Sequence, residues 1–317
     1  MEWGSAKKFV LVLLLALNIC LAFLNFYQTQ ETAMTSAQEK AIFEVLSQNG
    51  ITVYTKLQTE YDPMPRLVCH PPSYTKEELE QIFFAGEKTT VTPGKKTTVY
   101  RSTSARLALS RYGGEIVYQE ISTGLGNLTQ AQAIKTAESY IKQLQPTFGE
   151  MTAYGVYPTQ EGYRIEFFGE YEDTPVFSNC FLVDVSQFGV YHVSFSYCPI
   201  ETVSNERKDV YFADEALLTF LREVQKMDFE ESITIERMEL GYDISAKTQD
   251  DTAELVYAIP CYRIYIMEQE APFIINAYTC QIVSNGNSAF LQTEQPDIQE
   301  IQDTQDMLQD TAQIENH

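Results

Sequence analysis

Histidine and cysteine are the residues of this chain whose types would first suggest catalytic chemistry. The chain holds three histidines and six cysteines. Cys69 and His70 are adjacent, and neighbouring side chains of an extended segment point to opposite faces, so these two would not form a nucleophile–base pair. Cys198 and His192 could meet only through the tertiary fold. The third histidine, His317, is the final residue.

Clustered carboxylates offer a second kind of chemistry, but their spacing does not match a metal site. Glu77, Glu78 and Glu80 fall on a predicted helix, where solvated acids are the ordinary interpretation. The acids between residues 250 and 254 fall in a predicted loop that lacks the spaced ligands and the glycine of a calcium loop. The cysteines lack CxxC zinc spacing, and GxSxG, HExxH, P-loop and GxGxxG motifs are absent. We therefore predict no enzyme, no catalytic residue, no metal and no cofactor.

An apolar stretch near the N-terminus predicts a membrane anchor. From Phe9 to Tyr27 only Asn18 and Asn25 are polar, and this length suits a hydrocarbon core about 30 Å thick. The stretch exceeds a signal-peptide core of roughly 7–15 residues, and weak cleavage sites follow it, so a cleaved signal is the alternative. Cys20 lacks the small residues that precede a lipidated cysteine, and it is interpreted as a buried apolar thiol.

Charges beside the apolar stretch predict its orientation. Lys7 and Lys8 precede it and Glu31 follows it, so the positive-inside rule places residues 1–8 in the cytoplasm. The bulk of the chain would then be extracytoplasmic, and 9–27 would be its single transmembrane helix.

Three residues of the predicted anchor could contact a partner helix. Asn18, Ala22 and Asn25 are spaced i, i+4 and i+7 and share one helix face. A small residue between two amides favours helix association in lipid. The alternative is that Asn25 merely sits at the membrane interface and that Asn18 bonds its own backbone.

The remaining cysteines and the net charge limit the compartments and the partners that suit this chain. Five cysteines follow the anchor, so at least one thiol is unpaired in a monomer. If residues 267–272 form a tight connection, Cys261 pairs near Tyr278 and Cys280 lies diagonal to it, which makes Cys261–Cys280 the predicted disulfide. The chain has 44 acidic against 22 basic residues, and such a surface repels phosphate backbones, so nucleic acid is excluded as a partner.

Helical and alternating patterns along the chain predict an α+β fold. Capping boxes are predicted at Ser36/Glu39, Thr75/Glu78 and Thr129/Gln132, and Pro146 is expected just after the end of the third helix. The predicted helices are 36–50, 75–86, 129–145 and 212–227. Alternating segments predict strands at 51–57, in a meander over 89–121, and at 152–158, 163–171, 179–186, 189–197, 233–244, 253–267, 272–278 and 280–284.

The order of these elements predicts the domain organisation. A helix followed by strands recurs after about 80–85 residues, from Thr129 to Ala213, which indicates duplicated modules of a helix and a curled antiparallel sheet. We predict an N-terminal α+β ectodomain over 28–122 and a C-terminal duplicated domain over 123–290. The tail, 291–317, is acidic, lacks Lys and Arg, and is predicted to be disordered.

The opening MEWGSAKKFVLVLLLALN resembles the start of the YycI proteins. The resemblance continues through FEVLSQNGITVYTKL and EELEQIFFAGE, and it ends at YAIPCYRIYI and FIINAYTCQIV. That last pair of segments also resembles half of a PepSY domain. Cys280 stands where the turn of such a hairpin usually has Gly, and a β-carbon disfavours φ > 0, so we expect a changed or strained turn.

The resemblance implies a function without chemistry. YycI proteins, with their sister protein YycH, regulate a cell-envelope two-component system in Gram-positive bacteria by contacting a sensor histidine kinase, partly through membrane helices. A sensor kinase and a YycH-like sister protein are thus the expected partners, and tandem α+β modules the expected fold. The alternative is a PepSY-like extracytoplasmic binding or protease-inhibitor module tethered to the membrane.

Overall fold

A computed structural model describes residues 10, 12–21, 33–119, 127–227, 232–244, 255–267, 269 and 271–285. The chain forms two compact units, each assembled from separate segments. The first unit comprises Met1–Pro65, Glu206–Leu240 and Pro260–Asn285. The second unit comprises Arg66–Asn205, Gly241–Ile259 and Gly286–His317. Neither unit coincides with the division predicted between residues 122 and 123, because strands distant in sequence pair within each unit.

Helices form where the sequence predicts them. The described helices after residue 33 are α1 Ser36–Gln48, α2 Lys76–Phe83, α3 Gln130–Phe148 and α4 Ala213–Lys226. The predicted boxes at the starts of α2 and α3 are confirmed. The Thr75 hydroxyl accepts a hydrogen bond from the Glu78 amide at 3.3 Å, and the Glu78 carboxylate accepts one from the Thr75 amide at 2.7 Å. These reciprocal bonds satisfy amide donors that a helix start leaves unpaired.

The predicted N-cap of α1 was wrong by one residue, and the predicted end of α3 was wrong by three residues. The capping box of α1 is Thr35/Gln38 instead of Ser36/Glu39. Pro146 lies inside α3, which continues to Phe148 and ends at Gly149, whose φ is +77°. Proline removes one backbone donor but does not stop the helix here, because Phe148 is buried in the core and holds the last turn in place.

Fifteen strands have described bounds. They are β1 Ile51–Val53, β2 Met64–Cys69, β3 Thr90–Pro93, β4 Thr98–Arg101, β5 Ala105–Leu109, β6 Gly113–Tyr118, β7 Thr152–Pro158, β8 Gly162–Tyr171, β9 Thr174–Ser186, β10 Gly189–Ser196, β11 Ile200–Lys208, β12 Ile233–Ile244, β13 Val256–Ile266, β14 Phe273–Asn276 and β15 Gln281–Asn285. Strands β2 and β11 were not predicted, since neither segment carries a clear alternation.

The second unit is built on an antiparallel sheet. Its strands lie in the order β3-β4-β5-β6-β10-β9-β8-β7, and each is antiparallel to the next. Helices α2 and α3 pack on one face, where a continuous core contains both helix and strand side chains. Phe148 lies near its centre, with ring centroids 5.0 Å from Phe181 and 5.8 Å from Phe195. One face of this sheet is therefore covered by helices, as predicted for a helix-and-sheet module.

The first unit combines parallel and antiparallel pairing. Strand β1 is parallel to β12, whereas β13, β14 and β15 form an antiparallel meander. Helix α4 packs on the meander through Phe220, whose ring centroid lies 4.9 Å from that of Phe273. The β1–β12 pairing corrects the prediction of wholly antiparallel sheets: β1 and β12 are far apart in sequence, so no hairpin imposes an antiparallel register.

Candidate functional site

The N-terminal apolar stretch is helical where it is described. Val10 and residues 12–21 are helical, and their valine, leucine and isoleucine side chains are 53–62% exposed. These side chains lie on all sides of the helix, because they occupy nearly every position between 12 and 21. In the ranges that the structure describes, no helix combines the length and hydropathy needed to cross a membrane.

Asn18 makes a local hydrogen bond within this helix. Its Nδ2 donates to the carbonyl oxygen of Leu14 at 2.9 Å, which is the alternative that the sequence left open. An asparagine amide has two N–H donors and an acceptor oxygen, so this bond uses one donor only. Ala22 and Asn25 lie outside the described residues, and the three-residue contact face stays a prediction.

No disulfide joins Cys261 and Cys280 in the structure, where the other described cysteines are also unbridged, so the predicted pair stays a prediction. Cys261 lies opposite Asn276 in the β13–β14 register, not near Tyr278 as expected. The Sγ of Cys280 lies 3.2 Å from the Thr219 hydroxyl of α4. Cys280 has φ +52°, which confirms the strained turn expected from a β-carbon at a glycine position.

The outer face of the second unit's sheet carries a row of charged side chains, which we call the charged row: Arg164, Asp184, His192 and Glu115. Arg164 binds Asp184 with both oxygens engaged, Nε to Oδ1 at 2.7 Å and Nη2 to Oδ2 at 2.8 Å. His192 Nδ1 lies 2.7 Å from Asp184 Oδ2, and its Nε2 lies 2.8 Å from Glu115 Oε1. Charges of opposite sign thus alternate along the row.

Strand register brings the charged row together. Arg164 on β8 is opposite Asp184 on β9, which is opposite His192 on β10. Val117 on β6 is opposite His192, and Glu115 lies two residues away on the same face. The preceding β10 residue, Tyr191, is extra in the register between β9 and β10, and this bulge sets the face that His192 occupies.

The ion pairs of the charged row shift the pKa values of its members. Burial alone would lower the pKa of His192, but hydrogen bonds to Asp184 and Glu115 outweigh it and raise the pKa to about 9. Burial would raise the pKa of Asp184, but the hydrogen bonds from Arg164 and His192 hold that pKa below its usual range. The hydrogen bond from His192 likewise lowers the pKa of Glu115.

These shifts decide what His192 can do chemically. With a pKa of about 9, its imidazole is protonated at neutral pH, and each ring nitrogen donates to a carboxylate. A charged imidazolium with both N–H groups engaged does not accept a proton, so His192 is not a general base in this arrangement. Cys198 does not face it: its Sγ instead lies 3.3 Å from the His70 carbonyl oxygen.

The carboxylates singled out on α2 have different roles. Glu78 caps the helix, whereas Glu80 is 2% exposed, so its interpretation as a solvated acid was wrong. The Thr89 amide donates to Glu80 Oε1 at 2.8 Å and Lys88 Nζ lies 2.9 Å from Oε2. The Thr89 amide and the Lys88 ammonium together lower the pKa of Glu80 to about 2. Glu80 therefore joins α2 to the start of β3.

The remaining predicted chemistry has no assembled site in the described part of the chain. The acids between residues 250 and 254, and His317, lie outside that part. Within it, no three His, Cys, Asp or Glu side chains are grouped as metal ligands. Sequence reasoning missed the charged row, although Arg164, Asp184 and His192 each lie in a predicted strand. Their shared face depends on register and on the β10 bulge, which alternation does not reveal.

Known proteins resemble this chain in sequence and in fold. The YycI protein family model matches residues 29–278. No curated protein sequence matches the chain. The crystal structure of an uncharacterized protein from Eubacterium rectale ATCC 33656 is similar in fold, with a TM-score of 0.51 and 11% identity over 74% of this chain and 90% of that one.

A second solved structure shows a weaker likeness. The Bacillus megaterium YpeB C-terminal domain has a TM-score of 0.37 and 12% identity, over 67% of this chain and 96% of that one; at this score the two folds are not equated. The family model spans both described units, from before α1 to the β14–β15 turn. The chain belongs to the YycI family.

Proposed function

We propose that the chain is a membrane-anchored regulator of a cell-envelope sensor histidine kinase. Membership of the YycI family indicates a regulatory role in a two-component system. In the proposal, residues 9–27 span the membrane once, residues 1–8 are cytoplasmic and the bulk of the chain is extracytoplasmic. The transmembrane helix and the ectodomain contact the kinase and a YycH-like sister protein.

The exposed apolar helix over residues 12–21 is the observation that carries the anchor. Its valine, leucine and isoleucine side chains are more than half exposed on every side. A soluble helix buries an apolar stripe and exposes a polar one, whereas a helix that is apolar all round needs an apolar environment on all sides. Lipid supplies that environment, and Lys7 and Lys8 favour the N-in orientation.

Asn18 supports contact through the anchor. Its amide satisfies one donor on the Leu14 carbonyl, and the second donor and the Oδ1 atom have no partner among the described residues. An unsatisfied amide at membrane depth is costly, and a polar group on a neighbouring helix would satisfy it. Such hydrogen bonds contribute about 0.6–2 kcal/mol in membranes.

The Asn18→Leu variant tests this contact. We expect weaker cross-linking and co-purification of the full chain with the kinase, by roughly 3- to 30-fold in affinity if one hydrogen bond of about 0.6–2 kcal/mol is lost. The matched control is Ile19→Leu, which changes the next helix position without touching a polar group. Equal recovery of the kinase with wild type, Asn18→Leu and Ile19→Leu would refute contact through Asn18.

A second function is favoured by β13 and the β14–β15 hairpin, whose sequences together resemble half of a PepSY domain. In this alternative the sheets bind a peptide, a protease or cell-wall material, and the helix is only a tether. A soluble fragment of residues 32–290 distinguishes the two functions in cells that lack the full chain. Restored kinase regulation by the exported fragment would favour the binding module, and regulation only by the anchored chain would favour contact through the helix.

A further inference from the structure

Two buried cysteines meet in the second unit although they are distant in sequence. Cys69 is the last residue of β2, and Cys198 lies between β10 and β11. Both are fully buried, at 0% exposure. Cys198 Sγ lies 3.3 Å from the carbonyl oxygen of His70, the residue that follows Cys69, and each thiol shifts the pKa of the other. The charged row and the predicted Cys261–Cys280 pair play no part in this contact.

Hydrogen bonds that do not involve sulfur hold the segments around the two cysteines in place. The His70 amide donates to the Pro199 carbonyl oxygen at 3.3 Å. The Cys198 amide donates to Oδ1 of the buried Asn179 at 2.7 Å. On the other side, Cys69 pairs with Val256 of β13. These bonds hold the two segments side by side without the sulfur atoms, as a disulfide between Cys69 and Cys198 requires.

We propose that Cys69 and Cys198 form a disulfide when the chain occupies an oxidising compartment. The location rests on the proposed function, since disulfides persist outside the cytoplasm and not within it. The oxidant is a disulfide, either of a small molecule such as glutathione or of a protein dithiol oxidase. The two cysteine thiols lose two protons and two electrons, and the oxidant's disulfide takes them up and leaves as two thiols.

The directions of the two pKa shifts favour Cys69 as the first nucleophile. Contact with the Cys198 thiol lowers the pKa of Cys69, whereas contact with Cys69 and burial raise the pKa of Cys198. The Cys69 thiolate attacks one sulfur of the oxidant, and the other sulfur departs as a thiolate. The resulting mixed disulfide removes the negative charge from Cys69. Cys198 then loses its proton more readily, attacks the Cys69 sulfur and releases the second thiol of the oxidant.

The disulfide would close a long loop of the second unit. Roughly 130 residues separate the two cysteines, and they include α2, α3 and the whole antiparallel sheet. Cross-linking a loop of this length restricts the unfolded chain and raises the melting temperature, on the order of 10 °C for a chain of this size. At 0% exposure the two sulfurs exchange with external thiols or disulfides only when the second unit unfolds, so the bond forms as the unit folds.

The test uses the purified full chain in detergent, refolded from urea in the presence of oxidised glutathione and then digested without reduction. Trypsin releases Cys69 on a peptide that begins after Arg66. A second protease, one that cleaves at aspartate, cuts at Asp184 and separates Cys198 from Cys180. We expect mass spectrometry to find the Cys69–Cys198 linked peptide. Reduction in urea, followed by refolding, should lower the melting temperature of wild type but not of the Cys69→Ser/Cys198→Ser double variant. Cys261→Ala, which removes a similarly buried thiol elsewhere, should retain the link and its melting shift.

Each outcome decides the proposal. Two alkylatable thiols at these positions after oxidation, or an equal melting temperature of wild type with and without reductant, would overturn it. The same peptide map on protein whose thiols are trapped in growing cells tests the link in the compartment itself, and reduced thiols there would also overturn it. A reporter fused after residue 285 tests the extracytoplasmic location separately, so a failure of the location is distinguishable from a failure of the disulfide chemistry.

Discussion

Replacing His192 with glutamine should remove a pH-dependent part of the stability of the second unit. The His192 pKa is about 9 in the folded chain and 6.5 as the ordinary reference. At about 1.4 kcal/mol per pKa unit, this gap corresponds to about 3 kcal/mol of stabilisation of the imidazolium by its two carboxylates. The His192 side chain is 19% exposed and that of Glu115 is 32% exposed, so solvent screening reduces the expected contribution to about 2 kcal/mol.

The sign follows from proton binding in the two states. Below a pH of about 6.5 both the folded and the unfolded chain hold the His192 proton, and the contribution is fully present. Between about pH 6.5 and 9 the folded chain holds more protons than the unfolded chain, so its stability falls as pH rises. Above the folded pKa the contribution is lost.

Urea unfolding of wild type and His192→Gln measures this contribution. The difference in unfolding free energy between the two should shrink by about 2 kcal/mol between about pH 6 and pH 9.5. His70→Gln is the matched control, because His70 is an exposed histidine of the same unit. An NMR titration should place the His192 imidazole near pH 9. A difference that is constant or grows with pH, or an imidazole that titrates below pH 7, would refute the charged row as drawn.

Two further substitutions test the local strain and the buried charge. Cys280→Gly should be more stable than Cys280→Ala by about 1 kcal/mol in chemical unfolding, because both lose the contact with Thr219 but only glycine relieves φ +52°; equal stabilities would contradict strain at this turn. Glu80→Gln should lower the melting temperature at neutral pH, whereas the exposed neighbour Glu77→Gln should not. The pKa of Glu80 is about 2 in the folded chain, against an ordinary value of 4.5. The loss of melting temperature in Glu80→Gln should therefore diminish as pH falls below about 4.5. A loss that does not depend on pH would argue against the ion pair with Lys88.

Local patterns were sufficient to predict most of the elements of this chain. The boxes at Thr75 and Thr129 mark helix starts, because a side-chain cap and its reciprocal partner lie three residues apart in sequence. The alternating strands were also recognised from residues that are close together in sequence. Strands β2 and β11 were missed because neither alternates: β2 is buried along most of its length, whereas β11 has no buried residue.

The interpretation of single polar residues needed the fold. Glu80 lies on a short charged helix, where an exposed side chain is the ordinary expectation. The turn before β3 nevertheless places the Thr89 amide within hydrogen-bond distance of Glu80. Cys280 is the opposite case: its strain was predicted, since the resemblance to a glycine turn implies the backbone angle. A local backbone angle can be read from sequence, whereas the neighbours of a side chain depend on which segments pack together.

The sequence by itself determined the α+β class, the helix starts and the apolar N-terminal stretch, and it carried the resemblance to the YycI family. All of these depend on residues close together in the chain. Only the tertiary structure decided that Arg164, Asp184 and His192 share one sheet face and that Cys69 meets Cys198. The physical reason is strand register: a shift of one residue moves every side chain to the other face. The bulge at Tyr191 sets that register for His192, and contact between distant segments brings Cys198 to Cys69.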